Sequence, residues 1–301
     1  MKKFNKKISV IMASMCLVVL TLSGCGTDTG TSDKGSASES GSTDSATTSN
    51  ALAGKTQFVV GMECNYEPYN WTVPNETDTS IPIDGSIAAG YCDGYDVMIS
   101  NKIAKALGLE LLVRKFAWDG LPPALAAGEI DAIIAGMTYS DEREAGGIDF
   151  TSEYYQGDMV MLVKKGRPEA SFTSLDQYKG LAVLGQKNTT YDEVIDQIPE
   201  VDHKTPKGSY SEVVFALQNG EAVAAPAERP VALGVVHTNP DLVIQEFAEG
   251  KGFKDVVTSP SIAMKEGSRD QELFKQVQAA LDGISESDRQ AMMDAAVAAE
   301  K

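Results

Sequence analysis

Apolar positions along the chain after residue 56 follow two alternating periods. Runs of consecutive apolar residues predict buried strands at Gln57–Met62, 111–113 and 132–135. Between these runs, apolar spacings of three and four predict helices at 97–107 and Leu121–Ala127, each followed by a glycine that favours a helix end. This strand–helix alternation predicts an α/β fold in which helices cover a parallel sheet.

The same alternation starts again after Tyr155. The pattern predicts strands at 159–163, 181–184, 222–225, 242–245 and 261–264, and helices at 189–198, 211–218, 228–236 and 270–281, with a last helix capped by Ser287. Two starts of one pattern predict two lobes. Ligands of such sheets bind beyond the carboxyl ends of the strands, so a site is expected in the cleft between the lobes.

The first 24 residues have the pattern of an export signal. Four lysines precede an apolar run at 8–22 that is too short for a comfortable membrane span. The run ends at Leu22-Ser23-Gly24-Cys25, which resembles the lipobox of bacterial lipoproteins. We therefore expect cleavage before Cys25 and a lipid on its thiol, with an uncleaved anchor as the alternative.

Residues 25–55 are expected to form a flexible tether. Between positions 26 and 50 lie seven Ser, six Thr and four Gly, and no large apolar residue that could offset the entropy of ordering. The chain carries 43 acidic and 26 basic residues, a net charge of −17, and loses four more positive charges with the signal. This acidic balance argues against a nucleic-acid partner, because contact with phosphates requires a basic surface.

Few residues of the chain could support metal binding or covalent catalysis. The two histidines, His203 and His237, are far apart, and no C-x-x-C, G-x-S-x-G, H-E-x-x-H or phosphate-binding loop occurs. We therefore expect no metal, no cofactor and no catalytic residues. Once Cys16 leaves with the signal and Cys25 is lipidated, Cys64 and Cys92 remain as either a disulfide or two buried thiols.

Four loops at predicted strand ends carry candidate ligand contacts. Glu63 and Tyr66 begin an acidic, aromatic-rich loop, although such aromatics also pack within their own domain. Arg143 follows a strand end and could hold a carboxylate, or could lie on a solvated helix. Thr189 and Glu228 each begin a predicted helix, where plain capping and dipole roles are the alternatives. Together these groups suit a zwitterionic amino acid.

Five segments of the chain, in this order and spacing, resemble the polar amino-acid-binding proteins of ABC importers. They are Gly94–Val97, Trp118–Leu125, Gly128–Ala132, Gly136–Arg143 and Phe150–Tyr155. This resemblance, to solute-binding family 3, implies the type II periplasmic-binding fold. Two lobes, at 56–155 with 253–301 and at 156–252, would each hold a mostly parallel sheet flanked by helices, and two hinge strands would join them.

The resemblance also assigns roles at the backbone end of the ligand. Arg143 would bind the α-carboxylate, helped by Thr138 and by the helix start at Thr189. The carbonyl of Gly136 and the carboxylate of Glu228 would hold the α-ammonium. Glu228 lies where the family usually has Asp.

At the side-chain end, the resemblance implies that Tyr66 and Trp118 sandwich the ligand and that Glu63 contacts its distal group. An acid at this position favours lysine, arginine or ornithine over glutamine or histidine. Further departures from the family pattern are Asn188, where Gly is common, residues 81–91, which resemble an inserted hairpin, and residues 285–301, which lack the family's usual terminal motif.

These features predict a monomeric, membrane-anchored lipoprotein that is not an enzyme. It would capture a free L-amino acid outside the cytoplasm by lobe closure and deliver it to an ABC permease and its ATPase subunits. The competing interpretations are a dehydratase of the same fold that uses Glu63 or Glu228 as its acid, and a signalling or adhesive lipoprotein that feeds no transporter.

Overall fold

The structure is a computed structural model that describes Leu52, residues 54–256 and residues 258–299. The predicted signal at 1–24, nearly all of the tether and the lipidation residue Cys25 lie outside the described residues. Across the described part of the chain, no helix combines the length and the apolar character that a membrane span requires.

Strands and helices alternate over the described residues. The strands are β1 (Gln57–Met62), β2 (Asn65–Tyr66), β3 (Asn70–Val73), β4 (Ile81–Pro82), β5 (Tyr91–Asp93), β6 (Glu110–Lys115), β7 (Ala132–Ile133), β8 (Ile148–Glu153), β9 (Met159–Lys164), β10 (Ala182–Val183), β11 (Asp202–His203), β12 (Ala224–Glu228), β13 (Leu242–Gln245) and β14 (Ser261–Lys265). The helices are α1 (Tyr95–Leu107), α2 (Leu121–Ala127), α3 (Asp141–Ala145), α4 (Thr190–Glu193), α5 (Tyr210–Gln218), α6 (Arg229–Thr238), α7 (Glu272–Asp282) and α8 (Glu286–Ala299).

Two five-stranded sheets with the same arrangement define two lobes. In lobe 1 the strand order is β6-β1-β7-β14-β8, and in lobe 2 it is β11-β10-β12-β9-β13. The first three strands of each sheet are parallel, and only β14 in lobe 1 and β9 in lobe 2 run against the other four. Each sheet is therefore mostly parallel, as predicted.

The two reversed strands are the ones that the chain enters from the other lobe. The chain leaves lobe 1 through residues 154–158, between β8 and β9, and returns to it through the residues before β14. The crossings run side by side, because Tyr154 N donates to Pro260 O at 2.9 Å and Gly157 N donates to Thr258 O at 3.2 Å. These are the two hinge segments that the resemblance implies.

Helices pack on both faces of the lobe 1 sheet, with α1 and α7 on one face and α2 on the other, and α8 packs against α1 and α6. The largest apolar cluster contains residues of both lobes, and two smaller clusters fill the remaining faces of the two sheets. Residues 81–91 form the predicted hairpin, in which Ile81 pairs with Cys92 and the turn lies against the edge strand β6. With β2 and β3 this hairpin makes a small antiparallel sheet that the sequence did not predict.

Helix boundaries agree closely with the apolar spacing, with two corrections. The predicted helix 189–198 is interrupted, because α4 ends at Glu193 and residues 194–197 form a tighter 3₁₀ turn before Pro199. The last helix is capped by Ser285 and not by Ser287, since Ser285 Oγ accepts from Asp288 N at 3.1 Å.

Gly94 is a position where only glycine fits, and its replacement gives the first prediction. Its φ of 121° disfavours any side chain, and a Cβ there would lie 2.5 Å from Tyr69 O and 2.6 Å from the Trp71 ring. We expect Gly94→Ala to lower the free energy of unfolding in urea by about 3 kcal/mol, from backbone strain plus overpacking. The control Gly166→Ala also has a positive φ (78°), but no described atom lies within 4 Å of its added Cβ. Equal losses in the two variants would contradict the steric argument.

Candidate functional site

One cavity brings together all eight residues that the sequence analysis proposed as ligand contacts. Lobe 1 contributes Glu63, Tyr66, Trp118, Gly136, Thr138 and Arg143, and lobe 2 contributes Thr189 and Glu228. The cavity therefore lies between the lobes, where the alternation of strands and helices predicted a cleft.

The parallel strands explain why these residues meet. Glu63 follows directly after β1, Gly136 follows β7, and Glu228 is the last residue of β12. The carboxyl ends of parallel strands lie at one edge of a sheet, so short polar segments that follow them converge there. The two sheets present these edges to each other across the cleft.

Arg143 is the cation of the cavity. It lies in α3, whose start is fixed by Ser140 Oγ accepting from Arg143 N at 3.2 Å. Its guanidinium donates to the backbone oxygens of Thr138 and Asn188, the latter at 2.9 Å, and lies 5.5 Å from the centre of the Trp118 ring. Burial lowers the pKa of Arg143 below its ordinary value, but a guanidinium is such a strong base that Arg143 still carries its positive charge at neutral pH. The planar guanidinium of Arg143 is therefore held in place and partly removed from water, and it is suited to binding an anion such as a carboxylate.

Glu228 is a buried carboxylate on the opposite lobe. It is only 3% exposed, and its Oε2 accepts from the Tyr69 hydroxyl of lobe 1 at 2.7 Å. Burial raises its pKa to about 8; the Tyr69 hydrogen bond opposes the rise and the charge of Asp96 adds to it. A carboxylate held in this way gains more from a cationic partner than a solvated one does, because a nearby positive charge replaces the lost hydration.

Residues 58–295, most of the chain, match the sequence model of the bacterial extracellular solute-binding proteins, family 3. The chain belongs to this family. The match confirms the membership that the motif resemblance indicated.

Individual relatives of this solute-binding protein agree with the family assignment. A probable histidine-binding protein of Campylobacter jejuni is 30% identical over 64% of this chain and 69% of its own length. A glutamine-binding protein of Bacillus subtilis is 28% identical over 94% of both chains. Among solved structures, an ancestral arginine-binding protein bound to arginine matches with a TM-score of 0.65 and 26% identity, over 80% of this chain and 98% of its own.

Glu63 occupies another part of the cavity of this solute-binding protein. It is 5% exposed, and burial raises its pKa to about 7; the neighbouring Gln186 amide opposes the rise and the charge of Asp119 adds to it. Gln186 is 2% exposed, and its amide lies beside Glu63, although its Nε2 makes no hydrogen bond of ordinary geometry within the described residues. Sequence reasoning missed Gln186, although it lies two residues before Asn188, in a loop that the strand pattern had marked.

Aromatic side chains form the walls of the cavity. The Tyr66 ring stacks on Tyr69 with 5.3 Å between centroids and an interplanar angle of 8°. Its hydroxyl lies 2.5 Å from the hydroxyl of Tyr191, so one tyrosine from each lobe meets across the cleft. The sequence nominated Tyr66 but not Tyr191 or Tyr69. Whether Tyr66 and Trp118 sandwich a ligand side chain stays a prediction.

Gly136 is held by a buried chain of hydrogen bonds that leads to Asp96 of the motif Gly94-Tyr95-Asp96-Val97. Gly136 N donates to Tyr154 Oη at 2.9 Å, and Tyr154 Oη donates to Asp96 Oδ1 at 2.7 Å. The other carboxylate oxygen of Asp96 accepts from Asn70 Nδ2, also at 2.7 Å. Burial raises the pKa of Asp96 to about 7, and the Tyr154 and Asn70 hydrogen bonds oppose that rise. Asp96 thereby positions the cavity wall without lining it.

The two cysteines of the folded part are both buried. The structure has Cys64 and Cys92 as free thiols, the second of the two alternatives that the sequence left open. Burial and the adjacent Cys64 side chain raise the pKa of Cys92 well above its ordinary value. The two side chains are neighbours, so oxidation could still join them. A disulfide between Cys64 and Cys92 therefore stays a prediction. Among the described residues, no three His, Cys, Asp or Glu side chains cluster as metal ligands would.

Proposed function

We propose that this protein captures a polar L-amino acid, with a cationic side chain favoured, and delivers it to an ABC permease. The observation that carries the proposal is the charge of the cavity, whose described lining residues include one cation, Arg143, and two carboxylates, Glu63 and Glu228. An α-carboxylate complements Arg143 and an α-ammonium complements Glu228. A second positive charge on the ligand would complement Glu63 and bring the complex to neutrality.

The family and the sequence of the N-terminus support the remaining parts of the proposal. Extracellular solute-binding proteins work outside the cytoplasm, which agrees with an export signal at 1–24. A lipid on Cys25 and a tether over 25–55 would hold the two lobes near the membrane, within reach of a permease. The relatives bind histidine, glutamine or arginine, so polar amino acids are the ligand class to examine first.

A thermal-shift screen tests the proposal. The protein would be melted with each of the twenty amino acids, ornithine and citrulline, after removal of any ligand that co-purifies. A ligand that binds only the folded state stabilises it by about 2.7 kcal/mol at one hundred times its dissociation constant. We expect the largest shifts with arginine, lysine or ornithine. No shift with any of the compounds would contradict the proposed function.

Glu63→Gln tests the preference for a cationic side chain and gives the second prediction. We expect the variant to lose about tenfold or more in affinity for arginine or lysine, because an amide cannot neutralise a buried cation. Affinity for glutamine should change much less. Calorimetric titration with both ligands measures the difference. The control is Glu67→Gln, which removes a carboxylate from the same loop but outside the cavity. Equal losses for both ligands in Glu63→Gln would remove the reason to prefer basic amino acids.

A second candidate function follows from the same two carboxyl groups. Burial raises the pKa of Glu63 to about 7 and that of Glu228 to about 8, so either could hold a proton near neutral pH and act as a general acid. This would suit a dehydratase of aromatic amino-acid biosynthesis. Turnover of prephenate or arogenate, absent from Glu63→Gln and Glu228→Gln, would favour the enzyme over the binding protein.

A further inference from the structure

Three side chains of lobe 1 converge on a single residue of lobe 2, Asn188. Asn188 Nδ2 donates to Asp119 Oδ1 at 2.8 Å. The backbone oxygen of Asn188 accepts from Trp118 Nε1 at 3.3 Å and from the Arg143 guanidinium at 2.9 Å. Beside it, Lys187 Nζ lies 2.8 Å from the other oxygen of Asp119. The two lobes are therefore joined at this point by both the side chain and the backbone of one residue.

The backbone of Asn188 explains why this residue type can make all of these contacts. Its φ of 59° is in the left-handed region, which glycine and asparagine adopt more readily than other residues. Glycine would present the same backbone oxygen to Trp118 and Arg143 but would have no side chain to reach Asp119. Asparagine is thus the residue that fits this turn and also supplies a donor across the cleft.

We propose that Asn188 is a latch that holds the two lobes closed and couples closure to ligand capture. Its carbonyl accepts from Arg143, the side chain that would bind the ligand carboxylate, while its amide fixes Asp119 beside Trp118. Asn188 therefore contacts both the side chain that would bind the ligand and the residues of the opposite lobe. The coupling to a ligand rests on the proposed function, but the contact between lobes does not.

The ion pair of Asp119 and Lys187 does not explain the latch by itself. Their side chains are 48% and 54% exposed, and exposed ion pairs contribute little to stability. The Asn188 amide adds a second, directional donor to the same carboxylate. This bond is also exposed, so the contact between the lobes rests on it together with the two hydrogen bonds to the Asn188 backbone oxygen. The hydrogen bonds of Lys187 and Asn188 hold the pKa of Asp119 below its ordinary value, so the acceptor stays ionised as the pH falls.

Asn188→Gly removes only the latch side chain and is the central test. In the ligand-free protein we expect a more open average shape, seen as a larger radius of gyration by small-angle X-ray scattering. For L-arginine as the probe, we expect dissociation to be about five- to tenfold faster in stopped-flow measurements, with a smaller change in the association rate. Asn188→Asp would place a carboxylate against Asp119 and should open the lobes further, most strongly at low salt.

A double variant separates the latch from a merely structural role. In Asn188→Asp combined with Asp119→Asn, the carboxylate and the amide exchange places, so the hydrogen bond between lobes can form in reverse. We expect this variant to recover most of the wild-type shape and dissociation rate that Asn188→Asp alone loses. Identical scattering for wild type, Asn188→Gly and Asn188→Asp, or no recovery in the double variant, would overturn the proposal. Failure of L-arginine and the other amino acids to bind would contradict the proposed function, and the ligand-free scattering would still decide the latch.

Discussion

Arg143→Ala is expected to abolish amino-acid binding, with a loss of affinity of at least about one hundredfold. Among the described residues that line the cavity Arg143 is the only cation, so the ligand carboxylate would lie near Glu63 and Glu228 without a positive partner. Removing one partner of a buried ion pair costs about 3–5 kcal/mol, and each 1.4 kcal/mol is a factor of ten in affinity. Calorimetric titration with the best ligand from the thermal-shift screen measures the loss.

Two further variants make the Arg143 result specific. Arg143→Lys keeps the charge but replaces the planar fork by a single ammonium, so we expect partial binding. Arg114→Ala removes a guanidinium from the edge strand β6 and should bind as the wild type does. Micromolar affinity retained by Arg143→Ala would exclude Arg143 as the carboxylate ligand and would direct attention to the backbone around Thr189.

Residues close in sequence to a strand end were the ones that sequence reasoning could identify. Glu63, Gly136 and Glu228 follow apolar runs, and the edge of a parallel sheet is where a site forms. The pairing of the lobes also followed from the pattern, because a second start of the same alternation predicts a second sheet. The motif resemblance then supplied the roles, which spacing alone could not assign.

Contacts between the lobes could not be predicted from one sequence. Tyr69 bonds to Glu228 over 159 positions, and Tyr66 meets Tyr191 over 125. The hydrophobic pattern of a single segment cannot predict such a contact, because the contact depends on how far and in which direction the two lobes close about the hinge. Gln186 was missed for the same reason, since an amide in a loop follows no hydrophobic period and becomes notable only when the fold buries it beside Glu63. The helix predicted at 189–198 was too long, because the residue before a proline disfavours the helical conformation and Ile198, which precedes Pro199, is extended with a ψ of 123°.

Glu228→Gln is expected to abolish binding and, at the same time, to make the ligand-free protein more stable near neutral pH. Binding should fall by at least about one hundredfold, because a neutral amide leaves the enclosed ammonium of the ligand without its charge partner. The gain in stability follows from the direction of the pKa change, since burial raises the pKa of Glu228 from the ordinary 4.5 to about 8.

The effect of Glu228→Gln on stability can be separated from its effect on binding, because the stability of the ligand-free protein depends on pH with a known sign. Between pH 4.5 and 8 the folded protein keeps a proton on Glu228 that the unfolded chain has lost, so the stability of the wild type falls as the pH rises through this window. One such group contributes a slope of at most about 1.4 kcal/mol per pH unit. Melting temperatures of the ligand-free protein from pH 5 to pH 8 should therefore fall less steeply in Glu228→Gln, while the exposed control Glu129→Gln should follow the wild type. Parallel curves for all three proteins would show that Glu228 is hydrated in the ligand-free state. In that case Glu228 would be ionised in the ligand-free protein at neutral pH, and binding of the ligand ammonium would have to displace water from its carboxylate.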